Sequence, residues 1–214
     1  MIPIISIVGK SNSGKTTLIE KIVPELMRRG YRVTTVKHDF HGFEIDKEGK
    51  DSWRHKRAGA HGVIISSPQK VALIRDVDRD MSLEELRDSF GGDADLILSE
   101  GFKSDVQPKV EVFRKEEHGE LLCTKEDNLV AIASNRPFDI GIPCLDIDDV
   151  KGIVDLIESK FLKGGRREDI ALSINGKRIS LSPFVKRFLM RSIKGMVSCL
   201  KGAENPKRIE IKID

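Results

Sequence analysis

Short runs of β-branched and apolar residues alternate along the chain with segments whose apolar residues recur every three or four positions. The first run, residues 2–8, precedes a glycine-rich turn and then residues 15–29, where Leu18, Ile22 and Leu26 fall on one helical face. The same patterns predict further strands at residues 32–37, 63–66, 71–75, 96–99, 109–113, 129–134 and 144–147, and further helices at residues 82–90 and 150–161. Buried strands that alternate with helices are typical of an α/β fold with a mostly parallel, doubly wound sheet.

Three parts of this pattern depart from simple strand–helix alternation. Pro24 lies inside the first helix and predicts a kink there. Residues 71–75 and 109–113 each follow another strand closely, which favours antiparallel hairpin pairing at an edge of the sheet. Residues 38–62 are polar and show no sustained period, and a connection of that length in a compact domain is usually functional.

A separate set of local signals begins after residues 163–169, a polar segment with two glycines that is predicted to be a linker. Asn175-Gly176 is the dipeptide preferred in a type I′ hairpin turn. Because the turn has two residues, it pairs Leu172 with Ile179 on one face of the hairpin. The sequence therefore predicts a two-stranded hairpin directly after the linker.

A helix and a last strand are predicted to complete this C-terminal segment. Ser182 is suited to an N-cap with Pro183 at the first helical position, and the helix runs to about Leu200. Residues 209–213 alternate as a strand, so the chain is divided into a first domain at residues 1–162 and a ββαβ unit at residues 170–214. The apolar residues of the helix are predicted to cover the three strands: Phe184, Val185, Phe188, Leu189, Ile193, Met196, Val197 and Leu200.

Charge differs between the two predicted units. Residues 164–214 contain 12 Lys and Arg against 5 Asp and Glu, whereas residues 1–163 contain 25 against 29, so the two units are expected to meet different partners. The polar face of the last helix is basic, with Arg187, Arg191, Lys194 and Lys201. It could be a solvated surface, a contact for a protein or an anionic cofactor, or a nucleic-acid contact. Nucleic acid ranks last, because the phenylalanines of this helix are predicted to be buried and would not stack on bases.

The composition excludes several classes of protein. Apolar residues make up 39% of the chain and charged residues 33%, which is globular rather than disordered. The longest uncharged apolar stretch, residues 2–9, is far too short to cross a membrane and lacks the features of a signal peptide. Cys123, Cys144 and Cys199 have no metal-binding spacing and are expected to be reduced thiols of a cytoplasmic protein.

The glycine-rich turn fits the P-loop pattern of phosphate-binding proteins. Its glycines let consecutive backbone N–H groups turn inward around a polyphosphate, and the helix that follows points its positive end at the same anion. Lys15 can reach the β- and γ-phosphates, and Thr16 can place its hydroxyl on Mg²⁺. The motif predicts a nucleoside triphosphate, without separating ATP from GTP, at Gly9, Lys10, Ser11, Asn12, Ser13, Gly14, Lys15, Thr16 and Thr17.

An acid and a glycine end the predicted strand at residues 96–99. In P-loop proteins an acid at this place holds Mg²⁺ or orients the attacking water, so Glu100 is predicted to do so. The N–H group of Gly101 could sense the γ-phosphate. The alternative is a plain turn.

Histidines and acids are concentrated in the long connection after residue 37. His38 and His41 with Asp39, Glu44 and Asp46 could bind a metal ion, although their spacing is not diagnostic. A solvated loop is the alternative interpretation.

Several separate motifs, in the same order, resemble the MobB family of molybdopterin-guanine dinucleotide biosynthesis adaptor proteins. They are the P-loop with Lys15-Thr16-Thr17-Leu18, Val36-Lys37-His38, Glu44-Ile45-Asp46, Gly49-Lys50-Asp51-Ser52, Ala58-Gly59-Ala60, Leu96-Ile97-Leu98-Ser99-Glu100-Gly101-Phe102-Lys103, Val130-Ala131-Ile132-Ala133-Ser134 and Leu145-Asp146-Ile147-Asp148-Asp149-Val150. The family more often has Val at the position of Ser99. The resemblance covers residues 2–162 and leaves the C-terminal unit unexplained.

The resemblance implies a homodimer that binds GTP with Mg²⁺, hydrolyses it slowly and acts mainly as an adaptor. Its partner is the guanylyltransferase that joins GMP to molybdopterin. The loop around Asp46 and Asp51 would then lie near the triphosphate or the molybdopterin cofactor, so Asp46 joins Lys15 and Glu100 as a candidate for hydrolysis, and Thr16 and Glu100 as a candidate for the metal. Asn135, where the family often has Asp, is a candidate nucleotide contact.

Two other functions remain open at this point. A P-loop small-molecule kinase would need an acceptor-site base and usually an arginine-rich lid, for which Arg54 and Arg57 are the candidates. A nucleotide-gated nucleic-acid-binding protein is suggested by the basic C-terminal unit. Lys10, in the second P-loop position, could reach the phosphates of a partner subunit or simply face solvent.

Overall fold

The computed structural model describes residues 1–40, 42–114, 119–162, 170, 172–174, 177–201, 209 and 211. The chain divides into two compact units, residues 1–163 and 164–214. The strands are β1 (Ile4–Val8), β2 (Val33–Lys37), β3 (Gly62–Ser66), β4 (Val71–Arg75), β5 (Leu96–Glu100), β6 (Lys109–Phe113), β7 (Leu129–Ser134), β8 (Cys144–Asp146), β9 (Leu172–Ile174) and β10 (Lys177–Ile179). The helices are α1 (Lys15–Arg28), α2 (Asp51–Arg57), α3 (Leu83–Phe90), α4 (Val150–Phe161) and α5 (Pro183–Ser198).

A six-stranded sheet in the order β2-β5-β1-β6-β7-β8 forms the centre of the first unit, and all of its pairings are parallel. Alternate residues of β1 are buried on opposite faces of this sheet. Ile5 and Ile7 join the core beneath α1 and α4, whereas Ile4 packs with Leu83 of α3 on the other face. The prediction of an α/β fold with a mostly parallel sheet covered on both faces is therefore confirmed.

The strand β6 corrects the prediction of an antiparallel edge at residues 109–113. It lies inside the sheet, parallel to β1 on one side and to β7 on the other. Residues 101–108 carry the chain from β5 across β1, and a buried lysine fixes the end of this crossing. Parallel strands are usually linked by a helix, but residues 101–108 contain none. The ammonium group of Lys109 donates to the carbonyls of Asp105, Gln107 and Asp127, which ties the end of this crossing to the turn before β7.

The hairpin β3-β4 is antiparallel, as its spacing predicts, but it is a separate two-stranded sheet rather than an edge of the central one. Helix α2 precedes it, within the long polar connection in which the sequence predicts no element. Helix α3 begins at Ser82, whose hydroxyl accepts from the N–H of Glu85 while the Glu85 carboxylate accepts from the N–H of Ser82. Hydrogen bonds from Arg79 and from that N–H lower the pKa of Glu85 to about 2.

In the second unit, β9 and β10 pair antiparallel with Leu172 opposite Ile179, as the predicted turn requires. Helix α5 begins where predicted, with the Ser182 hydroxyl accepting from the N–H of Val185 at 3.4 Å. The linker at residues 163–169, the turn at residues 175–176 and most of the predicted strand at residues 209–213 lie outside the described residues.

The prediction that the apolar residues of α5 cover the strands is wrong for five of the eight residues, whereas Leu189, Ile193 and Val197 are half-buried. Phe184 is 69% exposed and Phe188 60% exposed, and Met196 and Leu200 are exposed as well. The two strands described in this unit have three residues each, which is too little surface to cover a helix of 16 residues. The exposure of Phe184 and Phe188 therefore removes the reason for ranking nucleic acid last among the contacts of this helix.

Two buried hydroxyls between β1 and β5 give a prediction about stability. Ser99 donates to Ser6 at 2.8 Å, and both residues are fully buried, which explains a serine where the family resemblance favours valine. Replacing either residue by Ala leaves a buried hydroxyl without its partner, so each single variant should lose about 1–3 kcal/mol of unfolding free energy. The double variant should lose less than the sum of the two. Urea denaturation of all four proteins checks this, and strictly additive losses would contradict it.

Candidate functional site

The loop between β1 and α1 has the backbone conformation of a phosphate-binding loop. Gly9, Asn12 and Gly14 all have positive φ angles, of 149°, 61° and 95°. A Cβ atom on Gly9 would lie 2.5 Å from the carbonyl oxygen of Val112 and 2.6 Å from the hydroxyl of Ser13, so only glycine fits there. The neighbouring strand β6 thus packs against the start of the loop and restricts its conformation.

A buried hydroxyl inside the loop is available for a ligand. Ser13 is fully buried, and its Oγ has no hydrogen-bond partner among the described residues. Buried polar atoms are nearly always paired, so an orphan of this kind calls for an explanation. Its place in the loop gives one, because a phosphate oxygen would supply the acceptor.

The ammonium group of Lys15 lies across the loop. It donates to the carbonyl oxygens of Gly9 at 3.1 Å and Lys10 at 2.7 Å. Burial lowers the pKa of Lys15, the carboxylate of Glu100 opposes this decrease, and the positive charge of Lys37 adds to it. An anion bound in the loop would favour the charged form of Lys15.

Thr16 and Glu100, two of the three residues predicted to hold Mg²⁺, lie in contact. The Thr16 hydroxyl donates to Glu100 Oε1 at 2.9 Å. The contact follows from the sheet, because β5 pairs with β1 and places Glu100 opposite Ile7, at the edge where the loop begins. A threonine hydroxyl and a carboxylate are oxygen ligands of the kind Mg²⁺ takes when phosphate oxygens supply others.

Gly101 does not offer the contact that the sequence suggests for it. Its N–H group donates to the carbonyl oxygen of Ile7 at 3.1 Å, which corrects the expectation that this N–H senses the γ-phosphate. The residue instead turns the chain, with a φ of 98° followed by a φ of 55° at Phe102. The Phe102 ring packs on the ring of His38, whose Nε2 lies 2.7 Å from a carboxylate oxygen of Asp80.

Asp46 makes its hydrogen bonds within its own segment. Its carboxylate accepts from the N–H of Lys47 at 2.9 Å and from the hydroxyl of Ser52 at 3.0 Å, which ties the connection to the first turn of α2. No described hydrogen bond joins it to Thr16 or Glu100, so the structure does not group it with them.

The proposed histidine–carboxylate metal site gains no support from the structure. Across the described residues, no group of three or more His, Cys, Asp or Glu is arranged to hold a metal ion, and His41 lies outside them. None of the helices described is long and apolar enough to cross a membrane.

Asn135 follows β7 and so lies at the same edge of the sheet as the loop. The next residue, Arg136, places its guanidinium 4.7 Å from the ring centre of Phe113 and 4.5 Å from that of Phe138. This stacking anchors the segment that carries Asn135.

Three charged residues at this edge were missed from the sequence: Lys37, Glu111 and Arg114. Lys37 ends β2 and acts on Lys15, and the guanidinium of Arg114 lies against Gly14. Burial raises the pKa of Glu111, whose carboxylate accepts from the N–H groups of Leu122 and Cys123. Glu111 and Arg114 could be placed at this edge only by knowing that β6 lies beside β1 and runs parallel to it, which the sequence pattern does not show.

Comparison with known proteins identifies close relatives of the chain. Residues 4–135 match the family model described as Molybdopterin guanine dinucleotide synthesis protein B. The Molybdopterin-guanine dinucleotide biosynthesis adapter protein of Haemophilus influenzae is 40% identical over 159 residues, which cover 74% of this chain and 89% of the relative. The protein of the same name from Escherichia coli is 35% identical over 161 residues, which cover 73% of this chain and 92% of the relative.

A solved structure agrees with these relatives. The crystal structure of molybdopterin-guanine biosynthesis protein B (mobB) has a TM-score of 0.63 and 34% sequence identity to this chain. The similarity covers 75% of this chain and 99% of that one.

Proposed function

The chain belongs to the MobB family, and on that premise we propose that it is an adapter protein of molybdopterin-guanine dinucleotide biosynthesis that binds GTP with Mg²⁺ in its P-loop. The observation that carries the nucleotide site is the contact of Thr16 with Glu100, next to a loop with an unpartnered serine and a lysine. At one edge of the sheet, these groups provide two oxygen ligands for a metal ion, a loop that can bind an anion, and a cation.

The chemistry assigned to these residues is that of a slow GTPase. Lys15 neutralises the β- and γ-phosphates, Ser13 and the loop N–H groups bind phosphate oxygens, and Thr16 and Glu100 hold the metal ion. When bound, Mg²⁺ neutralises charge on the β- and γ-phosphates. Glu100 is also the candidate for orienting a water molecule, and Asn135 is the candidate for contact with the base. Asp46 orders its own segment, and any role in hydrolysis or metal binding would require that segment to approach the loop.

Removal of the Lys15 ammonium tests the nucleotide site. Lys15→Ala deletes a charge-assisted contact worth about 1.5–3 kcal/mol, so GTP affinity should fall at least about tenfold. Lys21→Ala, which removes an exposed ion pair with Asp148 from the same helix, is the matched control and should bind normally. Calorimetric titration with GTP and ATP in the presence of Mg²⁺ measures both effects. Unchanged affinity in a folded Lys15→Ala protein would refute the site, and a preference for ATP would favour the kinase interpretation.

The proposed partner is the guanylyltransferase that attaches GMP to molybdopterin. The relatives are named as adapters of this biosynthesis, which supports a protein partner in the same pathway. We place this work in the cytoplasm, where the three free cysteines would stay reduced. The carboxyl edge of the sheet is the surface we assign to the guanylyltransferase and to molybdopterin.

Copurification tests the adapter function directly. Tagged protein should retain the guanylyltransferase in the presence of GTP and Mg²⁺, and its addition should raise the yield of guanine dinucleotide cofactor in a coupled assay. Lys15→Ala should lose the nucleotide-dependent part of both effects. If the wild-type protein binds GTP yet neither retains the enzyme nor raises the yield, the adapter function is refuted while the nucleotide site stands.

We further propose that the hairpin β3-β4 forms the interface of the homodimer. The register places Ile64 opposite Leu73 and Ser66 opposite Val71 on one face of the hairpin. The three apolar residues of this face are exposed, Ile64 to 70% and Val71 to 68%. A two-stranded sheet is marginally stable alone, and its open edges invite pairing with another strand. A second copy of the chain would cover this face and extend the hairpin.

A charge on the hairpin face tests the dimer. Ile64→Asp would bury a carboxylate in the proposed interface, so we expect a monomer by size-exclusion chromatography with light scattering. Val106→Asp, at an equally exposed apolar residue in the loop before β6, is the control and should leave the dimer intact. A dimer that withstands Ile64→Asp at micromolar concentration would place the interface elsewhere.

A further inference from the structure

Arg114 is a charged residue at the phosphate-binding edge that none of the family motifs includes. It follows β6 directly, and β6 pairs with β1 so that Glu111 lies opposite Val8. Because the two strands are parallel, Arg114 lies at the edge where the P-loop begins. Its guanidinium reaches the end of that loop: Nε, Nη2 and Cζ lie 3.2, 3.6 and 3.8 Å from the position that a Cβ atom of Gly14 would occupy.

We propose that Arg114 is a second cationic ligand of the phosphate chain, after Lys15. It lies on the side of the loop opposite Glu100, which with Thr16 forms the proposed metal site. The proposal rests on the proposed nucleotide site and extends it. In the sheet, β1 lies between β5 and β6, so Glu100 and Arg114 flank the loop on its two sides. A metal ion on one side and a guanidinium on the other would hold the same phosphate chain between them.

The charge around the loop supports an anionic ligand. The first turn of α1 contains no acidic residue, and the positive end of a helix repels a cation placed beside it. An arginine stays charged in proteins, so Arg114 cannot relieve that repulsion by losing its proton. Arg114 helps to lower the pKa of Asp148, whose main partner is Lys21 at 2.7 Å and which is largely exposed. A polyphosphate would supply the counter-charge that these cations require.

The position of Gly14 fits this role. Its φ of 95° already favours glycine, and the space that a side chain would fill is occupied by the guanidinium. A guanidinium presents a planar fork of N–H donors that binds two phosphate oxygens at once, which a lysine cannot do. Close approach of the fork to the loop therefore depends on glycine at position 14 and on arginine at position 114.

The test compares Arg114→Ala and Arg114→Lys with the control Arg28→Ala, which removes an equal charge from the far end of α1, the helix that follows the P-loop. The probes are GTP with Mg²⁺ and inorganic tripolyphosphate. Arg114→Ala should weaken both ligands at least about tenfold, Arg114→Lys should bind with intermediate affinity, and Arg28→Ala should bind like the wild type. Without ligand, the thermal midpoint of Arg114→Ala should be nearly unchanged, because the repulsion from the helix end and the weak attraction to the exposed Asp148 are lost together.

Each outcome bears on the proposal. A lower midpoint of ligand-free Arg114→Ala with unaltered affinity would mark a structural residue and overturn the assignment. If Lys15→Ala loses GTP affinity while Arg114→Ala keeps it, the nucleotide site stands and the Arg114 proposal fails. If the wild type binds tripolyphosphate through Arg114 but not GTP, the Arg114 proposal stands and the nucleotide assignment fails. If it binds neither ligand, both fail.

Discussion

The parallel pairing of β1 with β5 on one side and β6 on the other is the constraint on which the candidate site depends. It brings the P-loop after β1 to the same edge of the sheet as two residues from much later in the chain, Glu100 at the end of β5 and Arg114 after β6. Backbone hydrogen bonds along β1 fix these positions, so the charged side chains need little help from one another. The buried Ser6–Ser99 contact lies within the same pairing and links its two strands through side chains.

The sequence predicted what local chemistry determines. The P-loop, the capping serine of α5 and the register of the β9-β10 hairpin each depend on a few neighbouring residues, and the structure has all of them. The placement of β6 and the hydrogen bond of Gly101 depend instead on which strands are neighbours, and hydrophobic period carries no such information. For the same reason Arg114 was missed, and Asp46 was grouped with the metal ligands by family resemblance rather than by any contact in the sheet.

The apolar face of α5 shows another limit of pattern reading. Helical spacing correctly predicted the helix, but it cannot say whether an apolar stripe has a surface to cover. In the described part of the second unit, the hairpin is too short for that, and Phe184 and Phe188 remain exposed. The β3-β4 hairpin of the first unit has a similar exposed apolar face. Both elements carry more apolar surface than they bury within one copy of the chain.

The buried ammonium of Lys109, at the start of β6, stabilises the fold, whereas the positive charges at the other end of the sheet belong to the candidate site. At the start of β6 the lysine binds three carbonyl oxygens, a group of ligands that in many proteins surrounds a metal ion. An ammonium on a side chain cannot be removed by a chelator or replaced by a competing ion. The crossing from β5 to β6 is therefore held by a charge that belongs to the chain itself. In the proposed nucleotide site, any need for magnesium would arise at the opposite end of the sheet, so loss of the metal ion would leave this crossing intact.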